Sequence, residues 1–576
     1  MLNTRTILWL ALGALLFLNY EAWMKDYPAV SANPSLSGSG APNTLGNTVP
    51  QAADGAPPAS ATTPVASAAP ALGDTTPAAA VAPATAMAPA TDGQEPGTPL
   101  HVVTDVLDMT INLKGGELDR ADLLKYPKHK DTPNDPVRLL DNQDGDSLYL
   151  LQTGLLGTAG EAAPTHLAVW SSAQTNYTLA PGADELRVPL TWTDGHGLTV
   201  TKTFTFKRGS YAIDLAYDAQ NDSAAPRSLS AYSQFLRHWV KASRSYFDVE
   251  TYSFKGPAVY DGQKAEDLKV DNDTDSKYSQ TVTNGWIASL QHHFVSAIVP
   301  TAGQPTKIQL QVQGSRYLLM ATGPMVAIPA GGKATFDEKL FVGPKLQSQL
   351  AAVAPNLERT VDYGKLTVLA HPVFMVLVWV HNLVGNWGWS IIIVTALIKL
   401  LFYPLSQASG RSMAKMRAIA PRMKQIQDSY KDDREKLGRA MMELYKKEKI
   451  NPLAGCLPMV VQIPFFISFY WVLLESVEMR QAPFMLWIND LSSRDPFFVL
   501  PLLMGSAMFA QSRLNPAPPD PMQARIMQFM PLVMTGMMAW FPSGLVLYWL
   551  TNTVLSIVQQ WRVNQVVQSE VSKPRS

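Results

Sequence analysis

Hydrophobic and polar positions follow several different rhythms along this chain of 576 residues. A short polar tail with Arg5 leads into an apolar run from Ile7 to Leu18, closed by Tyr20 and Trp23. A cleaved signal peptide is the rival reading, but Asn19 to Tyr27 holds no small-x-small cleavage site. Tyrosine and tryptophan suit a membrane interface, so residues 1–24 read as an uncleaved transmembrane anchor. Residues 25–99 are mostly Ala, Pro, Thr, Ser and Gly, too poor in large apolar side chains to offset the entropy of ordering. They read as a disordered linker.

From residue 100 to 350 the rhythm has period two. Leu198–Phe206, Tyr211–Tyr217, Lys307–Val312, Tyr317–Ala321 and Ala334–Phe341 alternate, and turn clusters such as Asp194-Gly195-His196-Gly197 separate them. This predicts an all-β sandwich of antiparallel strands. His292-His293 has no Cys, Asp or Glu at ligand spacing, so the pair reads as a surface or half-buried strand pair, with no metal expected.

After residue 350 the apolar runs lengthen. Val373–Val384 is followed by Gly385-Asn386-Trp387-Gly388. One helix from Val373 to Tyr403 would be about 47 Å long against a hydrocarbon core of about 30 Å. The break therefore divides a connector and interfacial helix (351–386) from a span beginning at Trp387 and ending near Leu405. Leu457–Leu474, Phe497–Ala510, Ile526–Phe541 and Leu545–Val563 are further spans. The expected architecture is a multi-domain membrane protein with six transmembrane α-helices: the anchor and a five-helix core over 387–563. Within the core, 406–453 reads as a helical hairpin, one helix carrying Met413, Met416, Ile419 and Met423, the other Leu437, Met441, Leu444 and Tyr445. Residues 564–576 form a short tail.

Charge orients this plan. The chain has 47 basic and 47 acidic residues, but they are unevenly placed. Residues 101–350 hold 23 Lys+Arg against 27 Asp+Glu, whereas 405–453 hold 12 against 6. Basic loops stay in the cytoplasm, which puts the hairpin and both termini inside and the β domain outside. The single cysteine, Cys456, excludes an intramolecular disulfide.

No phosphate-binding loop, dinucleotide fingerprint, nucleophile elbow or HExxH pair is present. Lys399 is the informative residue. It lies about 18 Å into its span, with Thr395 one turn earlier on the same face. It either snorkels to the cytoplasmic headgroups or faces a wetted cavity, since an ammonium in lipid costs several kcal/mol. Gln462, Ser468, Ser506, Thr551, Asn552, Thr553 and Gln559 lie in other spans, and polar groups from several spans favour a hydrophilic indentation. Of 23 methionines, 16 lie between Met413 and Met538, Met527, Met530 and Met534 among them. Thioethers suit either adaptable apolar surfaces or gap filling.

GNWGWSIIIVTALIKLLFYPL (385–405), SMAKMRAIAPRMKQIQ (412–427), NPLAGCLPMVVQIPFF (451–466), RQAPFMLWINDLS (480–492) and FPSGLVLYW (541–549) closely resemble the YidC family of bacterial membrane protein insertases. The large domain before them resembles, by architecture, the periplasmic β-supersandwich of the Gram-negative form. The resemblance implies an inner-membrane insertase and chaperone without catalytic residues or cofactor. It would act on nascent membrane proteins, alone or beside the Sec translocon, in contact with the lipid bilayer and at times with a ribosome–nascent chain, without binding nucleic acid itself. It also implies a polar groove, closed toward the periplasm, with Lys399 at the position of its positive residue; with the polar positions of the spans, the expected groove residues are Lys399, Thr395, Gln462, Ser468, Ser506, Trp549, Thr551 and Asn552. Apolar segments would leave along residues 457–474 and 526–541, touching Met527, Met530 and Met534. The family usually has arginine where this chain has Lys399. A secondary transporter is the competing class, and it would show halved repeats and paired intramembrane charges, which the sequence lacks.

Overall fold

The computed structural model describes residues 45–51, 59–60, 99–143, 145–241, 253–430, 433–448, 457–514 and 521–571. The expected anchor, most of the linker and the last five residues lie outside the described residues.

The β domain is a two-sheet sandwich. Eight strands form one sheet, in spatial order 265–267, 256–260, 286–290, 294–299, 333–344, 212–221, 198–207 and 185–193. The other sheet has twelve strands among the described residues, with Arg227–His238 and Tyr149–Gly157 near its middle. The period-two stretches become antiparallel ladders: Leu198–Lys207 pairs with Ala212–Asn221, which pairs with Lys333–Pro344. Burial alternates along Leu198–Phe206 as the pattern requires, sending Val200, Phe204 and Phe206 into the core. The Asp194–Gly197 cluster is the predicted turn: Asp194 Oδ1 accepts from the His196 and Leu198 N–H groups, and Gly197 has φ +100°.

One inward position breaks the pattern. Lys202 is fully buried, its Nζ donating to the carbonyls of Gly115 (3.3 Å), Gly116 (2.6 Å) and Thr153 (3.3 Å) between the rings of Trp170, Phe204 and Tyr217. Burial pushes its pKa down to about 7.

The last strand leads through helix α1 (Gln347–Val353) and two short 3-10 turns into α2 (Thr367–Val384). Seven more helices follow: α3 (Trp387–Leu401), α4 (Tyr403–Ser429), α5 (Arg434–Lys447), α6 (Leu457–Glu475), α7 (Val499–Leu514), α8 (Pro521–Met538) and α9 (Ser543–Val571). The break at 385–388 falls where expected. Gly385 adopts φ +70° and returns its N–H to the His381 carbonyl, and Asn386 then caps α3. The next boundary differs from expectation, because the span stops at Leu401 and the chain bends by 61° into α4. Pro404, in the first turn of α4, has no N–H with which to continue α3. Among the described residues only α2 is by itself long and apolar enough to cross a membrane, and α3 reaches that length only together with Tyr403–Ser409. Both ends of α2 are tied to one segment: Tyr363, just before it, faces Ser476 (3.4 Å between hydroxyls), and Asn386, just after it, donates to the Phe484 carbonyl at 2.9 Å.

Within 406–453, α4 and α5 pack against each other. Ile419, Met423 and Leu444 form their small common core, with Met416, Ile426, Met441 and Tyr445 against it. The Met413 side chain lies outside the described residues.

His292-His293 does not match the expectation of a surface or half-buried strand pair. The two rings stack at 3.8 Å in the buried turn between strands 286–290 and 294–299, and His292 Nε2 donates to the Leu474 carbonyl of α6 at 3.0 Å. The turn is a docking point of the β domain on the helices. Around it, Ser253 bonds to Glu475, and the buried Lys345 sits near Glu475, Asp267 and Asp362. Nearby, Arg480 Nη2 donates to the Pro127 and Lys128 carbonyls (2.9 and 3.1 Å), and Lys130 Nζ to the Asn489 carbonyl at 2.5 Å.

Candidate substrate groove

Lys399 is carried in the last turn of α3 and is half-buried. Its Nζ donates to Ser556 Oγ of α9 at 2.8 Å, and Ser556 in turn donates to the Asn552 carbonyl at 2.7 Å. Asn552 Oδ1 accepts from Gln462 Nε2 of α6 at 2.5 Å. Three helices thus contribute to one polar layer. Ile398, Lys399, Phe402, Leu405, Ser406, Val461 and Gln462 line a small cavity of about 10 Å³ beside it, room for about one water molecule. Among the described residues no carboxylate neutralises Lys399. A single hydroxyl does not replace the hydration of an ammonium. The layer can therefore attract an anionic or strongly polar group.

Thr395 is buried one turn earlier, with Oγ1 donating to the Ile391 carbonyl at 2.6 Å. It marks the end of the polar layer, since Ile391 and Val394 beside it are buried and apolar. Trp549 meets Phe466 edge-on at 4.6 Å, on the α6–α9 side. Thr551 is half-buried on α9 next to Asn552, with no role in the bonded layer.

Two expected members are turned elsewhere. Ser468 is fully buried and satisfied by the Pro464 carbonyl of its own helix (2.8 Å). Ser506 is exposed on α7 and bonds back to the Leu502 carbonyl at 2.9 Å. Serine within an apolar helix commonly satisfies itself this way, so polarity alone did not place these two. On α8, Met527 and Met530 are exposed and form part of an apolar face with Phe529, Leu532 and Val533, while Met534 is half-buried against the core.

Sequence reasoning missed Ser556, the residue that touches Lys399. The signal was available: Asn552, Ser556 and Gln559 stand at i, i+4 and i+7, one face of α9. Gln559 Nε2 is enclosed without a hydrogen-bond partner among the described residues. A larger cavity, about 320 Å³ and lined by Arg138, Tyr149, Arg237 and Trp239 among others, lies in the β domain and includes no residue of the Lys399 layer.

A family model described as the YidC periplasmic domain matches residues 99–376, and one described as the 60Kd inner membrane protein matches residues 379–570. Curated relatives called membrane protein insertase YidC match over nearly the whole chain. That of Thioalkalivibrio sulfidiphilus is 45% identical, covering 99% of this chain and 100% of the relative. That of Nitrosococcus oceani is 43% identical, covering 99% of both. A solved structure of an active YidC insertase aligns over 81% of this chain and 94% of its own, with 18% identity and a TM-score of 0.37.

Proposed function

The chain belongs to the YidC family of membrane protein insertases, and from that premise we propose that the Lys399–Ser556–Asn552–Gln462 layer receives the polar end of an incoming membrane segment. The observation that carries this reading is a cation inside a helical bundle whose one bonded partner among the described residues is a neutral hydroxyl. Carrying a polar tail through a full hydrocarbon layer is prohibitive, because each unsatisfied backbone group costs several kcal/mol. A wetted groove through one leaflet about halves that path. Lys399 attracts acidic residues of the tail. The membrane potential, positive outside, then draws a negative tail outward at about 2.3 kcal/mol per charge per 100 mV. The apolar part leaves sideways past α6 and the exposed face of α8 that carries Met527 and Met530, with Met534 behind it.

In this reading the core over 387–563 has five spans, a sixth lies at residues 1–24, and both termini are cytoplasmic. The β domain is periplasmic, and its contacts with Leu474, Arg480 and Asn489 support placing the α6–α7 loop on the same side. The basic α4–α5 hairpin leaves α3 from the opposite end. With both of its ends tied to the 476–484 segment, α2 is best read as lying along the periplasmic interface rather than crossing. Chaperone activity, work beside the Sec translocon and contact with a ribosome–nascent chain complete the proposal.

Photocross-linking tests it. A photoreactive residue at Gln462 or Asn552 is expected to capture a stalled nascent single-span protein, and one at Ser506 is not. Capture from Ser506 with none from Gln462 or Asn552 would move the substrate path to another face.

A further inference from the structure

The loop of residues 476–498, between α6 and α7, holds the N-termini of three helices at once. Asn386, which caps α3 by accepting from the Trp389 N–H, also donates Nδ2 to the Phe484 carbonyl at 2.9 Å. The Phe484 ring lies so close to Gly388 that no Cβ fits there. At the start of α9, Ser543 N and Oγ both donate to the Ser493 carbonyl (2.7 and 2.8 Å), and Gly544 N donates to the Leu491 carbonyl at 2.9 Å. Asp495 takes the third helix. Its Oδ2 accepts from Leu500 N of α7 at 2.7 Å, and its Oδ1 accepts from Phe497 N and from Trp487 Nε1, each at 3.0 Å. It is only 1% exposed.

Beneath this loop lies an apolar layer. Ile391 and Leu491 are buried and converge on Gly544, whose Cβ, if it had one, would lie 3.5 Å from both side chains. Ile391 stands one turn from Thr395, where the polar layer ends. The loop is also held in a strained form, since Gln481, Leu486 and Phe498 all adopt left-handed φ of +56° to +57°. Such conformations cost on the order of 1 kcal/mol each for residues with side chains and persist only where the surroundings enforce them.

We propose that this loop is the permeability seal between the groove and the periplasm, and that Asp495 is the positioning residue that keeps it shut. The inference rests on the reading of the Lys399 layer as a wetted groove. A groove open to cytoplasmic water leaks ions unless an apolar layer ends it, because an ion entering that layer loses its hydration. Among the described residues Asp495 is the one side chain that hydrogen-bonds both the middle of the loop, at Trp487, and the first turn of α7. Without it, two backbone N–H groups and an indole N–H lose their acceptor in a buried site, and the strained backbone at Leu486 and Phe498 loses the bonds beside it at Trp487 and Phe497.

The test uses the full chain with Cys456→Ser and a reporter Ile391→Cys, under the seal. In spheroplasts a membrane-impermeant maleimide reaches only the periplasmic face. With Asp495 intact the reporter is expected to stay unlabelled. Asp495→Asn and then Asp495→Ala raise labelling per molecule, the latter by at least tenfold, and the proton leak of proteoliposomes rises in the same order. Trp487→Phe removes a single donor and carries the test if Asp495→Ala fails to accumulate; it too is expected to raise both readouts. Labelling and leak that stay at the level of the intact loop in these variants, or a fall in protein amount with labelling per molecule unchanged, would overturn the proposal. Neither readout uses an insertion substrate, so failure here leaves the groove reading standing.

Discussion

A buried and a half-buried lysine show how differently a cation is accommodated in the two halves of this chain. Lys202 is surrounded by three carbonyls and three aromatic rings, which offset part of its lost hydration, the remainder showing as the lowered pKa. Removing its head group leaves those carbonyls unpartnered, so Lys202→Ala is expected to destabilise the β domain by about 3–5 kcal/mol. Thermal unfolding of the purified protein would read this as a clear fall in the β-domain transition. Lys399 has one hydroxyl partner. Its surroundings do not neutralise it, which is what a transient binding site for anionic groups requires. Ser556→Ala should therefore cost little stability while changing insertion of acidic-tailed substrates more than neutral ones, measured by protease protection of the translocated tail. At this scale the sequence was informative where a residue broke a pattern that could be seen locally, as Lys399 does in an apolar run. It was uninformative where the partner is distant in sequence: the alternation of 198–206 puts Lys202 in the inward phase, but nothing local names the Gly115, Gly116 and Thr153 carbonyls that receive it. The same limit hid the Asp495 contacts, which span two turns of loop and a helix end.

Elements were more legible than their contacts. Alternation in 198–206 and the glycine break at 385–388 specify local backbone, and both appear as expected. The end of α3 did not, because the apolar run continues to Leu405 while Pro404, lacking an N–H, ends the helix earlier, and hydropathy alone does not weigh that. The turn at His292-His293 was misread because its burial is supplied by another element, α6. That turn has a testable pH dependence. Burial depresses the pKa of His292 to about 3, aided by Lys345 and Lys255 and opposed by its bond to the Leu474 carbonyl. A histidine whose docked pKa lies below its free value of about 6.5 takes up a proton on undocking. Its contribution to docking is thus complete above pH 6.5 and declines as pH falls toward 3. Glu478 and Asp267, pushed up to about 7 and about 6 by burial, act in the opposite sense, so the histidine contribution is read as a difference. Between pH 7 and pH 5, wild-type protein is expected to lose more protease resistance at this interface than His292→Gln does. Identical pH profiles would remove His292 from the interface energetics.

For the whole molecule, the polar layer and the proposed seal are both built from residues 386 onward, while among the described residues the β domain meets the core at contacts that include the 292–293 turn, Ser253, Lys345 and the 127–130 segment. Deleting most of residues 100–340 while keeping α1, α2 and the core should leave insertion largely intact in protein that accumulates normally, and loss of activity in such a truncation would assign the β domain a direct part in insertion. The most direct test of the central claim compares Lys399→Met with Lys399→Arg in proteoliposomes, using one single-span substrate whose translocated tail is either acidic or neutral. The account predicts that Lys399→Met lowers insertion of the acidic-tailed form at least severalfold, spares the neutral form, and that Lys399→Arg matches wild type on both. Equal insertion of the acidic-tailed form by Lys399→Met and wild type would contradict it.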